Sequence, residues 1–128
     1  MPRIIHFDVK TDDPDRAMAF YKKAFGWSFE KWNGPMDYWM VTTGPEGTPG
    51  INGGLSKRME PVTCTDTHGY ECTIGVDSID DGIEKVKAFG GTITMPKTPI
   101  PGVGWFAGCR DTEGNGFSLM QDDPKAGT

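Results

Sequence analysis

The sequence predicts an α+β chain built as two tandem strand–helix–three-strand modules, and two observations carry that expectation. Lys-Ala-Phe-Gly occurs at Lys23–Gly26 and again at Lys87–Gly90, 64 residues further on in a chain of 128. Repeats of roughly 20 to 50 residues indicate solenoids or propellers. A unit of half the chain indicates instead a pair of modules with a groove between them, where a site is expected. Each tetrapeptide also closes a helix-patterned run that follows one strand-like run and precedes three more.

In the first module Ile4 to Val9 alternates, so Ile5, Phe7 and Val9 share one face and Ile4, His6 and Asp8 the other. Asp13 before Pro14 reads as a helix cap followed by a residue suited to the first helical position. Ala17, Phe20, Tyr21 and Ala24 recur at helical spacing, and Gly26 sits where a left-handed residue ends the helix. Strands are expected over Trp27 to Trp32, Tyr38 to Thr43 and Ile51 to Leu55. Gly44, Gly47, Gly50, Gly53 and Gly54 read as a flexible loop over the mouth of the groove.

Sliding the chain by 65 residues lays Thr11-Asp12-Asp13-Pro14 on Val76-Asp77-Ser78-Ile79, which brings the two helix starts into register. The second module then follows the first. A strand over Tyr70 to Val76 leads to a Ser78 cap, a helix with Ile79, Ile83, Val86 and Phe89 on its apolar face, and Gly90 at its end. Strands are expected over Thr92 to Met95, Trp105 to Cys109 and Phe117 to Gln121, the last two joined by the turn Asp111-Thr112-Glu113-Gly114-Asn115. Pro96 to Pro101 reads as a rigid loop and Asp122 to Thr128 as a solvated tail. The whole is expected to be a single domain of residues 1–128, with module one at about 1–60 and module two at about 68–122.

Composition narrows the function classes. An apolar share of 36% with 24% charged residues is ordinary for a globular chain. A net charge of −5 argues against nucleic acid, which needs a basic footprint, and is compatible with a neutral or cationic small ligand. No apolar run approaches the roughly 20 residues that span a bilayer, and no signal-peptide core opens the chain, so the expected compartment is the cytoplasm. Cys64, Cys72 and Cys109 form no even set and no CxxC pair, so reduced thiols are expected. Asp111, Glu113, Asn115 and Asp122 are spaced like a calcium loop, but the final Glu is replaced and the segment runs into a strand. His68 falls in the inter-module linker and reads as exposed.

His6, the run from Asp13 to Tyr21 and Phe25-Gly26-Trp27 resemble the opening of the vicinal oxygen chelate superfamily, which includes glyoxalase I, extradiol dioxygenases and bleomycin-resistance proteins. The run from Asp111 to Leu119 resembles that superfamily's closing turn and strand, and with Val76 to Ile79 the resemblance spans essentially the whole chain. Gly53-Gly54 before Leu55 and the ending Phe117 to Gln121 are similar to the small glyoxalase-like proteins related to lactoylglutathione lyase. The resemblance implies two βαβββ modules curled into a half-open mixed β-barrel around a central cavity, and a homodimer.

The resemblance also implies a ligand test for a divalent metal, since superfamily metalloenzymes take one ligand from the first and one from the last strand of each module. His6 and, at the 65-residue offset, Glu71 match the first positions. The last positions fall on Ser118 and on Asn52 or Gly54, which are poor ligands. A catalytic zinc site usually keeps three protein ligands, so no metal is assigned, and a divalent ion held by His6 and Glu71 is the alternative. Strand alternation alone places His6, Asp8, Glu71 and Ser118 on faces away from the helices, where buried polar groups must pair with one another or with a ligand.

His6 and Glu71 are therefore the candidate acid and base. Asp8, Asn52 and Ser118, with Trp39 and Trp105 as aromatic walls, are the candidate ligand contacts. The leading expectation is a binding protein for a small aromatic or cationic molecule. The alternative is a metal-dependent lyase, isomerase or dioxygenase using His6 and Glu71.

Overall fold

The computed structural model describes residues 2–58 and 69–128; Cys64 and His68 lie outside the described residues. Two compact units emerge, one of His6–Tyr70 and one of Glu71–Thr128 with Met1–Ile5. Both carry the α+β order read from the sequence.

The first unit contains β1 (Arg3–Thr11, entering from the other unit), α1 (Pro14–Phe25), β2 (Ser28–Lys31), β3 (Trp39–Thr42) and β4 (Gly53–Lys57). Its strand order is β2-β3-β4-β1, antiparallel except for the parallel pair of β4 and β1. Alternation sends Phe7, Val9, Val41 and Leu55 to one face, where Ala17, Met18 and Tyr21 of α1 and the rings of Trp27, Phe29 and Trp39 cover them. Leu55 is completely buried, a contribution of about 1.5–3 kcal/mol for one side chain. Asp13 Oδ1 accepts from the Arg16 amide at 3.1 Å to start α1, and Gly26 at φ +74° stops it. The apolar stripe is Ala17, Met18 and Tyr21, whereas Phe20 is 58% exposed, contrary to expectation.

The second unit contains β5 (Tyr70–Gly75, whose first residue, Tyr70, belongs to the first unit), α2 (Ile79–Ala88), β6 (Thr92–Ile100), β7 (Gly104–Arg110) and β8 (Gly116–Asp122), ordered β5-β8-β7-β6. Ile79, Ala107, Cys109 and Leu119 form its buried cluster, with Ile74, Val76, Ile83, Val86, Trp105 and Phe117 packed around them. Ser78 Oγ caps α2 by accepting from the Asp81 amide at 3.1 Å, and Gln121 Oε1 accepts from the Ile79 amide at 2.8 Å, pinning the helix start to β8.

Several sequence expectations change in this unit. Pro96 to Pro101 is not a separate loop, because β6 runs on to Ile100. Proline lacks a ladder donor but is tolerated on an edge strand, and β6 ends its row with register shifts around Met95. Phe89 is 81% exposed, because α2 ends at Ala88 and the cap residue turns off the helix face. The tail from Asp123 is docked rather than solvated. Ala126 is fully buried and accepts from the Gly102 amide, while Asp123 Oδ2 accepts from the Trp105 indole N–H at 3.0 Å. In the first unit, Gly53 and Gly54 belong to β4, paired with β1 and β3, as the strand expected over Ile51 to Leu55 implies, and not to the glycine-rich loop. Among the described residues, no helix is long and apolar enough to cross a membrane.

Candidate functional site

The polar face of the first unit follows from strand register. Phe7, Val9 and Thr11 point to the helix side, so His6, Asp8 and Lys10 point away from it. Asp8 pairs with Gly54, Gly54 with Met40 and Met40 with Glu30, which makes one row across four strands. At Gly54 the row has a gap, and Tyr38, two residues before Met40, fills it. A Cβ on Gly54 would overlap the Tyr38 hydroxyl and ring.

The Tyr38 hydroxyl donates to Asp8 Oδ1 at 2.7 Å and lies 2.8 Å from His6 Nε2, which is itself 3.5 Å from the same carboxylate oxygen. A phenol has one hydrogen to give. Because Asp8 takes it, His6 must donate through Nε2, and the chain of protons runs His6 to Tyr38 to Asp8. Trp32 stands edge-on to Tyr38 with ring centroids 5.9 Å apart, and its amide donates to the Tyr38 carbonyl at 2.8 Å. Lys10 Nζ donates to Ser56 Oγ at 3.1 Å.

Environment separates the two acids. Burial pushes the Asp8 carboxyl up, but hydrogen bonds from His6 and Tyr38 and the nearby charges of His6 and Lys10 outweigh it, so its pKa lies below 3.8. Burial first, then the charge and hydrogen bond of Asp8, drive the Tyr38 phenol far above its ordinary value of 10. At neutral pH the pair is therefore carboxylate and phenol. The Asp8 side chain keeps 17% exposure and that of His6 30%.

In the second unit the corresponding row is Thr73, Ser118 and Gly108. Thr73 Oγ1 and Ser118 Oγ lie 2.7 Å apart, both buried, so each hydroxyl satisfies the other. Glu71 extends beside Gly116, its Oε1 3.4 Å from where a Cβ there would stand. Burial, then the Glu71 charge, pushes the Cys109 thiol up, so it behaves as a small packed residue rather than a nucleophile.

Comparison with known proteins gives this geometry a family context. Residues 3–44 match the family model described as Bleomycin resistance protein-like N-terminal. The chain is 27% identical over 124 residues to the putative glyoxylase CFP32 of Mycobacterium bovis, covering 95% of this chain and 45% of that protein. It is 30% identical over 113 residues to the probable chloroplastic lactoylglutathione lyase of Arabidopsis thaliana, covering 83% of this chain and 32% of that protein. The chain thus spans less than half the length of these curated relatives. The crystal structure of methylmalonyl-CoA epimerase from Mycobacterium tuberculosis superposes with a TM-score of 0.68 over 94% of this chain and 88% of that one, at 12% identity. The first third of the chain thus matches a bleomycin-resistance-like family model, the chain as a whole is similar to glyoxalase-type proteins, and it shares the fold of methylmalonyl-CoA epimerase.

Divalent metals are common in vicinal oxygen chelate enzymes, so the donor set matters. At the closing strand of the first module, Gly54 offers no side chain and its space belongs to Tyr38. Asn52 Oδ1 instead accepts from the Thr43 amide at 2.9 Å and holds the loop between β3 and β4. At the closing strand of the second module, the Ser118 hydroxyl is engaged with Thr73. Among the described residues, no group of three or more His, Cys, Asp and Glu side chains converges. These donors do not fit the usual three-ligand catalytic site.

His6 and Asp8 come together in the first unit, and Glu71 belongs to the second. Trp39 packs on the helix side of the first sheet and Trp105 on the helix side of the second, so neither shares a face with the polar rows. Lys97 Nζ lies 4.7 Å from the centre of the Trp105 ring. Sequence reasoning missed Tyr38 as the organising residue. The available signal was its spacing of two from Met40, which places both on the polar face, together with a glycine opposite.

Proposed function

We propose that this vicinal oxygen chelate protein binds a small cationic molecule with an aromatic body, using the polar face of its first module rather than a metal. The observation that supports this most directly is the Asp8 carboxylate, kept ionised by Tyr38 and His6 yet still partly open. A negative charge fixed beside the rings of Tyr38 and Trp32 suits an ammonium or other organic cation. The same groups are poorly matched to proton transfer. An efficient general acid or base has a pKa near the working pH, whereas Asp8 is shifted down and Tyr38 up, away from neutrality.

The test is calorimetric titration of the full chain with benzyltrimethylammonium, followed by the same titration of Asp8→Asn. Saturable binding that weakens about tenfold or more in the variant is expected. Equal binding by both proteins, or none at millimolar ligand, would falsify the reading.

A second reading rests on the relatives named glyoxylase and lactoylglutathione lyase. It makes the chain a lyase, isomerase or dioxygenase with His6 and its sequence counterpart Glu71 as the reacting or metal-holding groups. Stoichiometric metal in protein purified without chelators, lost in His6→Ala, would favour that reading over the first. The homodimer belongs to the proposal too, and sedimentation at micromolar concentration checks it.

A further inference from the structure

We propose that the first module carries a second, separate binding site on its helix side, and that it takes a small planar aromatic carboxylate. A shallow cleft of about 440 Å³ opens between the start of α1 and the end of β1, a volume within the usual range of roughly 300–1,000 Å³ for small-molecule sites. Phe20, Tyr21 and Tyr70 supply ring walls, and Arg58, Thr11 and Asp12 the polar end.

The aromatic walls are exposed yet organised. Phe20 is 58% and Tyr70 54% exposed. The Tyr70 hydroxyl donates to that of Tyr21 at 2.6 Å, so the cleft is bordered mainly by ring carbons. Behind it, Tyr21 stacks on Trp27 with centroids 4.8 Å apart and planes within 7°, which fixes the wall in place. Offset or edge-on packing of an added ring against such a wall is favourable.

Arg58 defines the charge of the ligand. Its Nη1 lies 3.1 Å from Asp12 Oδ1, and its side chain keeps 19% exposure, so part of the guanidinium stays open at the cleft. A planar carboxylate in the cleft can accept from the guanidinium N–H groups that remain open, while Asp12 keeps Nη1. Neither neighbouring carboxylate blocks this arrangement, since Asp12 is paired with Arg58 and Asp13 is engaged as the α1 cap. The cleft includes neither His6 nor Asp8, since Val9 and Thr11, which line it, alternate with Asp8 along β1, and Lys10 lies at the border of the two sites.

Titration of the full chain with benzoate, followed by calorimetry, tests the site. Saturable binding is expected, with benzyl alcohol, which lacks the carboxylate, about tenfold weaker or worse. Arg58→Lys keeps the charge but not the fork and should weaken benzoate by a similar factor. Phe20→Ala removes an exposed ring with little risk to folding and should weaken it too. Saturating benzyltrimethylammonium should leave benzoate binding unchanged, which separates this site from the Asp8 face. No saturable benzoate binding, undiminished binding in Arg58→Lys, or displacement by the ammonium ion would each overturn the proposal.

Discussion

Tyr38 occupies the space that a side chain on Gly54 would need, and from there its hydroxyl reaches Asp8 at 2.7 Å. The strand position opposite Asp8 is thus filled by the residue that precedes β3 rather than by its own side chain. This single substitution of space converts a row that could have held another polar ligand group into a closed run of hydrogen bonds.

Gly54→Ala should expel Tyr38 from its seat. Overpacking of this kind costs about 1–3 kcal/mol, and the midpoint of urea unfolding reads it. Introducing Gly54→Ala into a Tyr38→Ala background should cost clearly less, since the colliding ring is gone. Additive effects would mean that Gly54 is needed for its backbone and not for the space above it.

Tyr38→Phe keeps the ring and removes the hydroxyl, leaving Asp8 and His6 without their shared partner. A loss of about 1–3 kcal/mol at pH 7 is expected. The pH dependence has a defined sign on both sides. Asp8 has a depressed folded pKa, so its contribution is present above the unfolded value near 3.8 and fades as pH falls through the lower folded value. Tyr38 has a raised folded pKa, so its contribution is present below the ordinary value of 10 and is lost as pH rises beyond it. Thermal unfolding against pH should therefore show an alkaline decline above about pH 10 that is smaller in Tyr38→Phe. Identical alkaline profiles for the two proteins would remove Tyr38 from this account.

Ser118→Ala should destabilise the second module by about 1–3 kcal/mol, because the Thr73 hydroxyl remains buried without its partner. Adding Thr73→Val should cost much less than a second such penalty, since both polar groups are then gone. Chemical denaturation of the two single variants and the double variant gives the coupling directly, and a coupling near zero would count against mutual satisfaction.

Much of the fold was legible because its signals are local. Asp13 and Ser78 announced the helix starts, and the predicted caps bond to Arg16 and Asp81 as expected. Alternation along β1 correctly separated Phe7 and Val9 from His6 and Asp8. Errors arose where a local pattern has two readings. Phe20 fits a helical stripe by spacing but lies off the face that meets the sheet, and Pro96 and Pro99 look like loop residues until β6 is known to be an edge strand. Trp39 and Trp105 were legible as paired positions, but which face of each sheet they occupy depended on strand register.

By itself the sequence determined the duplicated strand–helix–three-strand plan and the placement of His6, Asp8 and Ser118 on polar faces, because repeats, caps and alternation act over a few neighbouring residues. Only the tertiary structure decided what those polar groups do. The bond from Tyr38 to Asp8 joins residues 30 positions apart and that from Thr73 to Ser118 joins residues 45 apart. Such pairings depend on strand register and on the space left by Gly54, and no periodicity in the chain encodes a distance between strands.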